Sequence, residues 1–399
     1  MGSDVAVRRS SKRVPNLLAV AAILAIFGFS AVSVLSATAA SVTVETVSVG
    51  TGPSGVAVNP TTGFAYVTNY GNNTVSVIDE SSRSVMANIS VGYGPLGIAV
   101  NPITDRIYVV NNVDGTVSVV DGATNGIIAN VTVGSSPEGI AVDDSTGNVY
   151  VANYGGNTVS VIDGSTNTVT RNITVGDGPT SVGVIPATNR IYVVDNIDGN
   201  VSVIDGSTDL VIKNITTGIS PVAVSANPAT GYVYVADDMD NNVSVIDGSS
   251  NQVVANITLK GGPDAVSVDP ETNQVYVAEN ATDTVAVING SINGVTSTVA
   301  VGNSPMAVAV NPATGIVYAA NAASGSVSLI SGTTPAQRTM TTLSSNTGTS
   351  SATGTGPSGI PEFPPQIGLA IALVTAVMAL YILVRRAPAR KTRAGFAAG

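Results

Sequence analysis

The chain has 399 residues and a formal net charge of −10, and it contains no Cys, His or Trp. With 44% hydrophobic and only 11% charged residues, it is neither a disordered chain nor a disulfide scaffold. The absence of His and Cys excludes Ser-His-Asp triads, thiol nucleophiles, imidazole-bound haem and the usual His/Cys zinc sites. Any chemistry must therefore use Asp, Glu, Tyr, Lys, Ser or backbone groups.

The amino-terminal region has the pattern of a secretory signal peptide. Basic residues between Arg8 and Arg13 precede an apolar run from Leu17 to about Ala37, and small residues follow up to Ala40. This order predicts that residues 1–40 are a signal peptide that is cleaved near its end. A retained membrane anchor is the alternative, because about 20 apolar residues can span a bilayer.

The region from residue 41 to about 332 is one repeat, copied seven times. A Gly-Pro or Ser-Pro pair marks each copy, and the proline recurs every 42 residues, at Pro53, Pro95, Pro137, Pro179, Pro221, Pro263 and Pro305. Each copy contains four short β-branched runs bounded by Asn, Asp, Gly and Pro, which predicts four strands joined by tight turns. Such a unit is the blade of a propeller, so the predicted fold is all-β, a seven-bladed β-propeller over residues 41–332.

The fourth strand of the last blade is predicted to come from the start of the domain. Residues Val42–Val49 align, 42 positions back, with the outer strand at 84–91 of the first copy. This segment would clasp the ring shut and cover an otherwise open edge. A rival strand at Arg338–Leu343 is poorer in β-branched residues.

The first strand of every copy carries only small residues on one face. These residues are Gly55 and Ala57, Gly97 and Ala99, Gly139 and Ala141, Ser181 and Gly183, Ala223 and Ser225, Ala265 and Ser267, and Ala307 and Ala309. Blades converge towards the axis of a propeller, so the inner strands have the least room between them. The pattern therefore predicts radial packing with these strands innermost.

The second strand of each copy carries a recurring tetrapeptide. Tyr66-Val67-Thr68-Asn69 returns with small changes in every copy, and Val75–Asp79 returns as the third strand. These repeats resemble the YVTN-repeat β-propeller family, known from archaeal surface-layer and cell-surface proteins. The resemblance covers the whole repeat region and implies the fold, but it implies little about activity. The recurring tyrosine is interpreted as a blade-packing residue, with an aromatic binding ring as the alternative.

Acidic residues follow the tetrapeptide in copies four to six. They include Asp195 and Asp198, then Asp237, Asp238 and Asp240, then Glu279 and Asp283, with Asp177 and Asp264 in the Gly-Pro loops of the same face. The favoured interpretation is a solvated acidic rim. The alternative is a Ca²⁺ site, because closely spaced carboxylates suit a hard cation, and its candidate ligands are Asp237, Asp238 and Asp240. No other cofactor is predicted. The aspartates that end the third strands, such as Asp79, are interpreted as turn formers.

Asn-x-Ser/Thr motifs recur in one register of the predicted outer strands. The glycosylation candidates in this register are Asn88, Asn130, Asn172, Asn214 and Asn256. Glycans there would coat the rim of the ring.

Residues 41–338 contain 7 Lys/Arg and 24 Asp/Glu. A surface this acidic repels phosphate backbones, which disfavours nucleic acid as a partner.

The carboxyl-terminal region has the order of a stalk, a membrane span and a basic tail. Residues 333–365 are rich in Ser, Thr, Gly and Pro and are interpreted as a stalk that ends in Pro361-Glu362-Phe363-Pro364. Residues 366–384 form an apolar span, and the basic residues that follow predict a cytoplasmic tail at 385–399. The tripartite order resembles the PEF-type sorting signals of archaeal surface proteins, which implies processing of the span. A retained transmembrane anchor is the alternative.

Together these features predict a propeller anchored at the cell surface with a structural, adhesive or binding role. The expected partners are envelope or surface-layer proteins, or a carbohydrate or protein ligand, with the membrane contacted through the carboxyl-terminal span. The alternative is an extracytoplasmic enzyme of the lactonase or lyase type that uses carboxylates or a bound cation on the loop face. A quinone-dependent dehydrogenase is disfavoured, because the chain has no Trp for a docking motif and no Cys for a cofactor-lining disulfide.

Overall fold

Twenty-eight strands make up almost all of the computed structural model, which describes residues 41–333. In chain order they are β1 (Thr43–Ser48), β2 (Pro53–Asn59), β3 (Phe64–Asn69), β4 (Thr74–Asp79), β5 (Ser84–Ser90), β6 (Pro95–Asn101), β7 (Arg106–Asn111), β8 (Thr116–Asp121), β9 (Gly126–Thr132), β10 (Pro137–Val142), β11 (Asn148–Asn153), β12 (Thr158–Asp163), β13 (Thr168–Thr174), β14 (Pro179–Ile185), β15 (Arg190–Asp195), β16 (Asn200–Asp205), β17 (Leu210–Thr216), β18 (Pro221–Ala226), β19 (Tyr232–Asp237), β20 (Asn242–Asp247), β21 (Gln252–Thr258), β22 (Pro263–Asp269), β23 (Gln274–Glu279), β24 (Thr284–Asn289), β25 (Gly294–Ala300), β26 (Pro305–Val310), β27 (Val317–Asn321) and β28 (Ser326–Ser331). Three single-turn 3-10 helices lie in connections, at Tyr154–Gly156, Pro186–Thr188 and Asn280–Thr282.

The strands form seven antiparallel sheets of four, which confirms the seven-bladed propeller. The first six sheets each take four consecutive strands in chain order, beginning with β2-β3-β4-β5. The strand that starts each sheet contacts the first strand of the next sheet, and β2 also contacts β26. These seven inner strands therefore close a ring, and the fourth strand of each sheet is outermost.

The seventh sheet confirms closure by the amino-terminal strand. Its order is β1-β28-β27-β26, and β1 pairs antiparallel with β28 from Thr43 opposite Ser331 to Ser48 opposite Ser326. Val47 is the one buried side chain of β1. It packs in a cluster that joins the seventh blade, through Leu329, to the first blade, through Ala65. The rival segment that begins at Arg338 lies outside the described residues.

The connections between strands form two opposite faces. On the loop face, the loops between blades bond to the loops between second and third strands, as in the 3.0 Å bond from Tyr70 N to Gly52 O. On the turn face, the remaining two connections of each of the first six blades bond to each other, as in the 3.0 Å bond from Glu80 N to Gly63 O. The third-strand aspartates lie on the turn face. The predicted turn role is confirmed for Asp79, because its Oδ1 accepts a 2.9 Å bond from Ser81 N.

Close approach of the inner strands explains the small residues of the first strand. A Cβ placed on Gly55, Gly97 or Gly139 would lie 2.3–2.4 Å from a backbone carbonyl oxygen of the next blade. At Gly183 the nearest atoms are the methyl carbons of Val224, 3.5 Å away, which is ordinary contact. Glycine is therefore a steric requirement at the first three positions only.

The core lies between the blades rather than in one centre. Each hydrophobic cluster joins the facing sheets of two neighbouring blades, for example Tyr234 and Val243 of the fifth blade with Val266 and Val275 of the sixth. The recurring tyrosines are all at most 1% exposed. The packing interpretation is therefore confirmed, and an aromatic binding ring is excluded.

Both ends of the described chain meet on the turn face. A Cβ on Gly332 would lie 2.8 Å from the carbonyl oxygen of Ser41. The turn-face end of β1 pairs with the turn-face end of β28, so the chain enters and leaves beside the seventh blade. No helix within residues 41–333 is long and apolar enough to span a membrane. The predicted signal peptide, stalk, PEFP motif, span and basic tail lie outside the described residues.

Candidate binding face

A buried hydrogen-bond chain holds the end of the tetrapeptide in the first blade. In the first blade, Gly50 N donates to Asn69 Oδ1 at 3.0 Å, and Asn69 Nδ2 donates to Ser76 Oγ at 2.9 Å. Ser76 Oγ then donates to Oδ1 of Asn88 on the outer strand at 2.8 Å. The seven equivalent terminal residues are all buried, namely Asn69, Asn111, Asn153, Asp195, Asp237, Glu279 and Asn321. The loop amide is bound to Oδ1 in this way in the first and third blades, whereas Oδ1 of Asn111 and of Asn321 accepts no hydrogen bond within the described chain.

Carboxylates replace the amide of this chain in the fourth and fifth blades. Ser202 donates to Asp195 Oδ2 and Ser244 donates to Asp237 Oδ2, both at 2.6 Å. Burial raises the pKa of Asp195 to about 6 and also raises the pKa of Asp237, although the serine bond lowers each in part. The expectation of a solvated acidic rim is therefore wrong for these two residues.

Glu279 takes the same position in the sixth blade with a longer side chain. Its Oε1 accepts a 2.9 Å bond from Lys260 N, and its Oε2 accepts a 2.7 Å bond from Thr284 Oγ1. It is only 1% exposed, so it also departs from the expected solvated rim. All three carboxylates support the loop face from beneath and are not presented on it.

The second set of loop carboxylates caps backbone amides of the neighbouring loop. The equivalent residues Asp114, Asp198 and Asp240 accept bonds of 2.7, 2.9 and 2.8 Å from the backbone amides of Tyr93, Asp177 and Ile219, respectively. Elsewhere on the face, Asp177 Oδ1 accepts a 2.6 Å bond from Asn157 Nδ2, and Asp283 Oδ1 accepts a 2.8 Å bond from Ser304 N. These side chains order the loops and remain at the surface.

The candidate calcium ligands do not gather into one site. Asp237 is buried against Ser244, Asp240 caps Ile219 N, and Asp238 is half-buried beside the loop at Gly262. Among residues 41–333, no group of three or more Asp and Glu side chains is placed to hold a metal ion.

Two further carboxylates lie at the loop-face ends of the inner strands. Glu138, which the sequence reasoning did not single out, is the second residue of β10, and desolvation raises its pKa to about 7. Asp264 is the equivalent residue of β22. Desolvation also raises the pKa of Asp264, which accepts a hydrogen bond from Asn280 Nδ2. One feature of the sequence distinguishes this position, because the residue after the repeat proline differs in every copy of an otherwise regular repeat. The seven residues are Ser54, Leu96, Glu138, Thr180, Val222, Asp264 and Met306.

Apolar side chains project from the loop face. Tyr93, Val113, Ile197, Ile219 and Met239 lie in its loops and are each 62–70% exposed. They were also missed from the sequence, because single apolar residues within polar loops give no periodic signal. In the described loops of this face the one Lys or Arg is Lys260. The face therefore combines apolar tips with a surplus of carboxylates.

Comparisons with known proteins support a repeat β-propeller. A family model described as NHL repeat matches residues 135–162, which cover β10, β11 and most of β12. Among solved structures, the chain is similar to hydrazine synthase of Kuenenia stuttgartiensis, with 23% identity and a TM-score of 0.64, over 70% of this chain and 95% of that chain. At this sequence identity, the similarity is evidence for a shared fold and for nothing further. No match was found among curated proteins.

Proposed function

We propose that this protein is a binding module of the cell surface, held at the envelope by its carboxyl-terminal region. The amino-terminal secretion pattern, the Ser/Thr-rich stretch, the PEFP motif and the apolar span with its basic tail support this location. A β-propeller with repeated blades is consistent with a binding or structural role.

The position of the chain ends carries the proposal. Ser41 and Gly332 are neighbours on the turn face, so a stalk that starts at residue 333 begins on that face. The loop face lies at the opposite end of every strand. A ring tethered through its turn face leaves the whole loop face free to bind envelope components.

The chemistry of the loop face supports a ligand with apolar and cationic groups. Exposed side chains such as Val113, Ile197 and Met239 offer apolar area without a partner in the described chain. The surrounding carboxylates favour positive charge and repel phosphate. The proposed ligand is therefore an envelope or surface-layer protein, or a carbohydrate, that exposes apolar and positively charged groups.

Saturable binding of the purified chain to envelopes prepared from the producing cells tests the proposal. Val113→Ser, Ile197→Ser and Met239→Ser together should weaken binding at least tenfold. The matched variant Ile103→Ser, Leu210→Ser and Ile292→Ser alters equally exposed residues at the turn face and should bind as the parent does. Equal loss in both variants, or no binding by the parent, contradicts the proposed role of the loop face.

Location is tested separately by protease treatment of intact cells. A surface-held propeller should fractionate with envelopes and be reached by an added protease, whereas a cytoplasmic marker should not. The extracytoplasmic lactonase- or lyase-type alternative stays an untested prediction, and no geometry within residues 41–333 favours it.

A further inference from the structure

The outer strands of five consecutive blades share one arrangement around an exposed asparagine. In blades one to five, the serine of the third strand donates to Oδ1 of Asn88, Asn130, Asn172, Asn214 or Asn256, at 2.8, 2.8, 2.7, 3.2 and 3.0 Å. All five asparagines are exposed. Within residues 41–333, their Nδ2 atoms donate no hydrogen bond. The amide oxygen is therefore fixed to the sheet, and the amide nitrogen faces solvent.

The hydroxyl two residues after each asparagine has no structural use in the described chain. These residues are Ser90, Thr132, Thr174, Thr216 and Thr258, all exposed at the loop-face ends of their strands. The sixth blade has Thr298 in place of the asparagine and Ala300 in place of the hydroxyl residue. Its third strand has Ala286 where the other blades have the donating serine. The sixth blade therefore lacks the asparagine, the hydroxyl residue and the donating serine together.

Space for a sugar lies beside the asparagines in at least two blades. A cleft of about 430 Å³ is lined by Asn88, Ser76 and the end of β1. The equivalent cleft of about 450 Å³ in the next blade is lined by Asn130, Ser118 and the end of β5. Both clefts open between the outer strands of neighbouring blades.

We propose that Asn88, Asn130, Asn172, Asn214 and Asn256 carry N-linked glycans that cover the open edges of blades one to five. Each outer strand is paired on one side only, and such an edge invites pairing with another chain. The outer strands of blades six and seven, β25 and β1, lack the motif and stay bare. The inference rests on the proposed export of the chain, because the donor is taken to act outside the cytoplasm.

The chemistry is a glycosyl transfer to the amide nitrogen. The donor is a lipid-linked glycosyl phosphate or diphosphate, which a membrane transferase of the cell uses. The bond between Asn Nδ2 and the anomeric carbon forms while the bond from that carbon to the phosphate oxygen breaks. The amide loses one proton, and the lipid phosphate leaves with the bonding electrons.

The structure separates these asparagines from three other Asn-x-Ser/Thr sites. Asn280 donates its Nδ2 to Asp264 Oδ2 and accepts a 3.1 Å bond from Ser304 Oγ. Asn200 and Asn242 are half-buried, and each has a fully buried amide oxygen. A glycan on Asn280 would break its bond to Asp264, and Asn200 and Asn242 are less exposed than the rim asparagines, so the three serve as internal negative controls.

Site-resolved mass spectrometry of the full chain, isolated from the cells that produce it, tests the inference. We expect an oligosaccharide mass on the five rim asparagines and an unmodified amide on Asn200, Asn242 and Asn280. Unmodified rim asparagines in a chain shown to be at the surface contradict this inference and leave the proposed location intact. Equal modification of the three controls also contradicts it.

Matched variants distinguish the acceptor motif from the structural bond. Thr132→Ala and Thr216→Ala should abolish modification of Asn130 and Asn214, whereas Thr132→Ser and Thr216→Ser should retain it. None of these substitutions alters the hydrogen bond from the third-strand serine to the asparagine. The melting temperature of the unglycosylated protein should therefore be unchanged. Persistent modification in the alanine variants overturns the inference. A variant with all five hydroxyl residues changed to alanine should sediment as larger species at equal concentration, and unchanged sedimentation contradicts the covering of edges.

Discussion

Tyr318 of the seventh blade donates a 2.7 Å hydrogen bond to Oε2 of Glu80 in the first blade. The same oxygen accepts a 2.8 Å bond from Nδ2 of Asn311. Every other blade has glycine at the position of Glu80, as at Gly122 and Gly290. Glu80 therefore forms a contact that belongs only to the junction where the ring closes.

An alternation between neighbouring blades explains this exception. The turn after the first strand ends in Gly63, Asp105, Gly147, Asn189, Gly231, Asn273 and Gly315, in blade order. Asn59 donates to Asp105 at 2.7 Å and Asn227 donates to Asn273 at 2.8 Å, each across one blade interface. Because the number of blades is odd, glycine and a polar residue cannot alternate all the way around the ring. Asn311 of the seventh blade therefore faces the first blade, which has Gly63 in that turn. Glu80 supplies the missing acceptor from the adjacent turn.

Replacing Glu80 should weaken the closing interface. Glu80→Ala removes two hydrogen bonds and leaves the hydroxyl of Tyr318, a fully buried residue, without its acceptor. We expect the free energy of unfolding to fall by about 1–3 kcal/mol, measured by denaturant titration. Glu271→Ala is the control, because that carboxylate is exposed and makes no hydrogen bond within the described chain. An equal effect of both changes would contradict the role assigned to Glu80.

The buried carboxylate of Asp195 should make the protein more stable in mild acid. Burial raises its pKa to about 6, above the unfolded value of about 3.9, so the ionised form destabilises the fold at neutral pH. Stability should therefore rise as the pH falls from about 7 to about 4. Asp195→Asn restores the amide found at Asn153 and should stabilise the protein by roughly 1–3 kcal/mol at pH 8, with a flatter dependence of melting temperature on pH.

Asp79 provides a control of opposite sign. A hydrogen bond from the side chain of Ser81 is the largest effect that lowers its pKa, so its ionised form stabilises the fold. That stability is present above the unfolded pKa and is lost as the pH falls through the folded one. Asp79→Asn should therefore lower the melting temperature at neutral pH, and a gain there would contradict the assigned bonding.

Replacement of glycine by alanine in the inner strands should destabilise the protein at some positions and be tolerated at another. Gly97→Ala would place its Cβ 2.3 Å from Glu138 O, and this backbone atom has little freedom to move. We expect a strong loss of stability or of folded yield. Gly183→Ala meets only ordinary contacts and should be neutral or stabilising by up to about 1 kcal/mol, because alanine restricts the unfolded chain. The melting temperatures of the two variants, compared with that of the parent protein, test this prediction.

The clasp formed by β1 should depend on one side chain. Val47→Asp buries a charge in the cluster that joins the seventh and first blades, and we expect a loss of more than about 2 kcal/mol. Val44→Asp changes a residue that is 40% exposed on the same strand and should cost much less. Equal melting temperatures for the two variants would show that β1 does not seal the ring.

Much of the fold was predictable from the sequence because it repeats. A fixed interval of 42 residues between prolines defines the blades, and alternating β-branched runs define their strands. Closure by β1 also followed, because a one-blade offset aligns residues 42–49 with the outer strand of the first copy. These features depend on local pattern and on counting, which a sequence contains in full.

The identity of a residue did not reveal its surroundings on the loop face. Asp237 and Asp240 lie three positions apart and the sequence assigned both to an acidic rim, yet one is buried against Ser244 and the other caps Ile219 N. Burial there depends on the loop from the neighbouring blade, which covers the strand end. No local pattern encodes that contact.

The sequence by itself determined the number of blades, their strands, the segment that closes the ring and the rim register of Asn88 and its equivalents. Only the tertiary structure decided which carboxylates are buried, that Glu80 completes the junction between the seventh and first blades, and that the chain ends leave opposite the loop face. The physical reason is that strand pattern is set within each repeat, whereas desolvation, hydrogen-bond partners and direction of exit arise between repeats that meet only when the ring is closed.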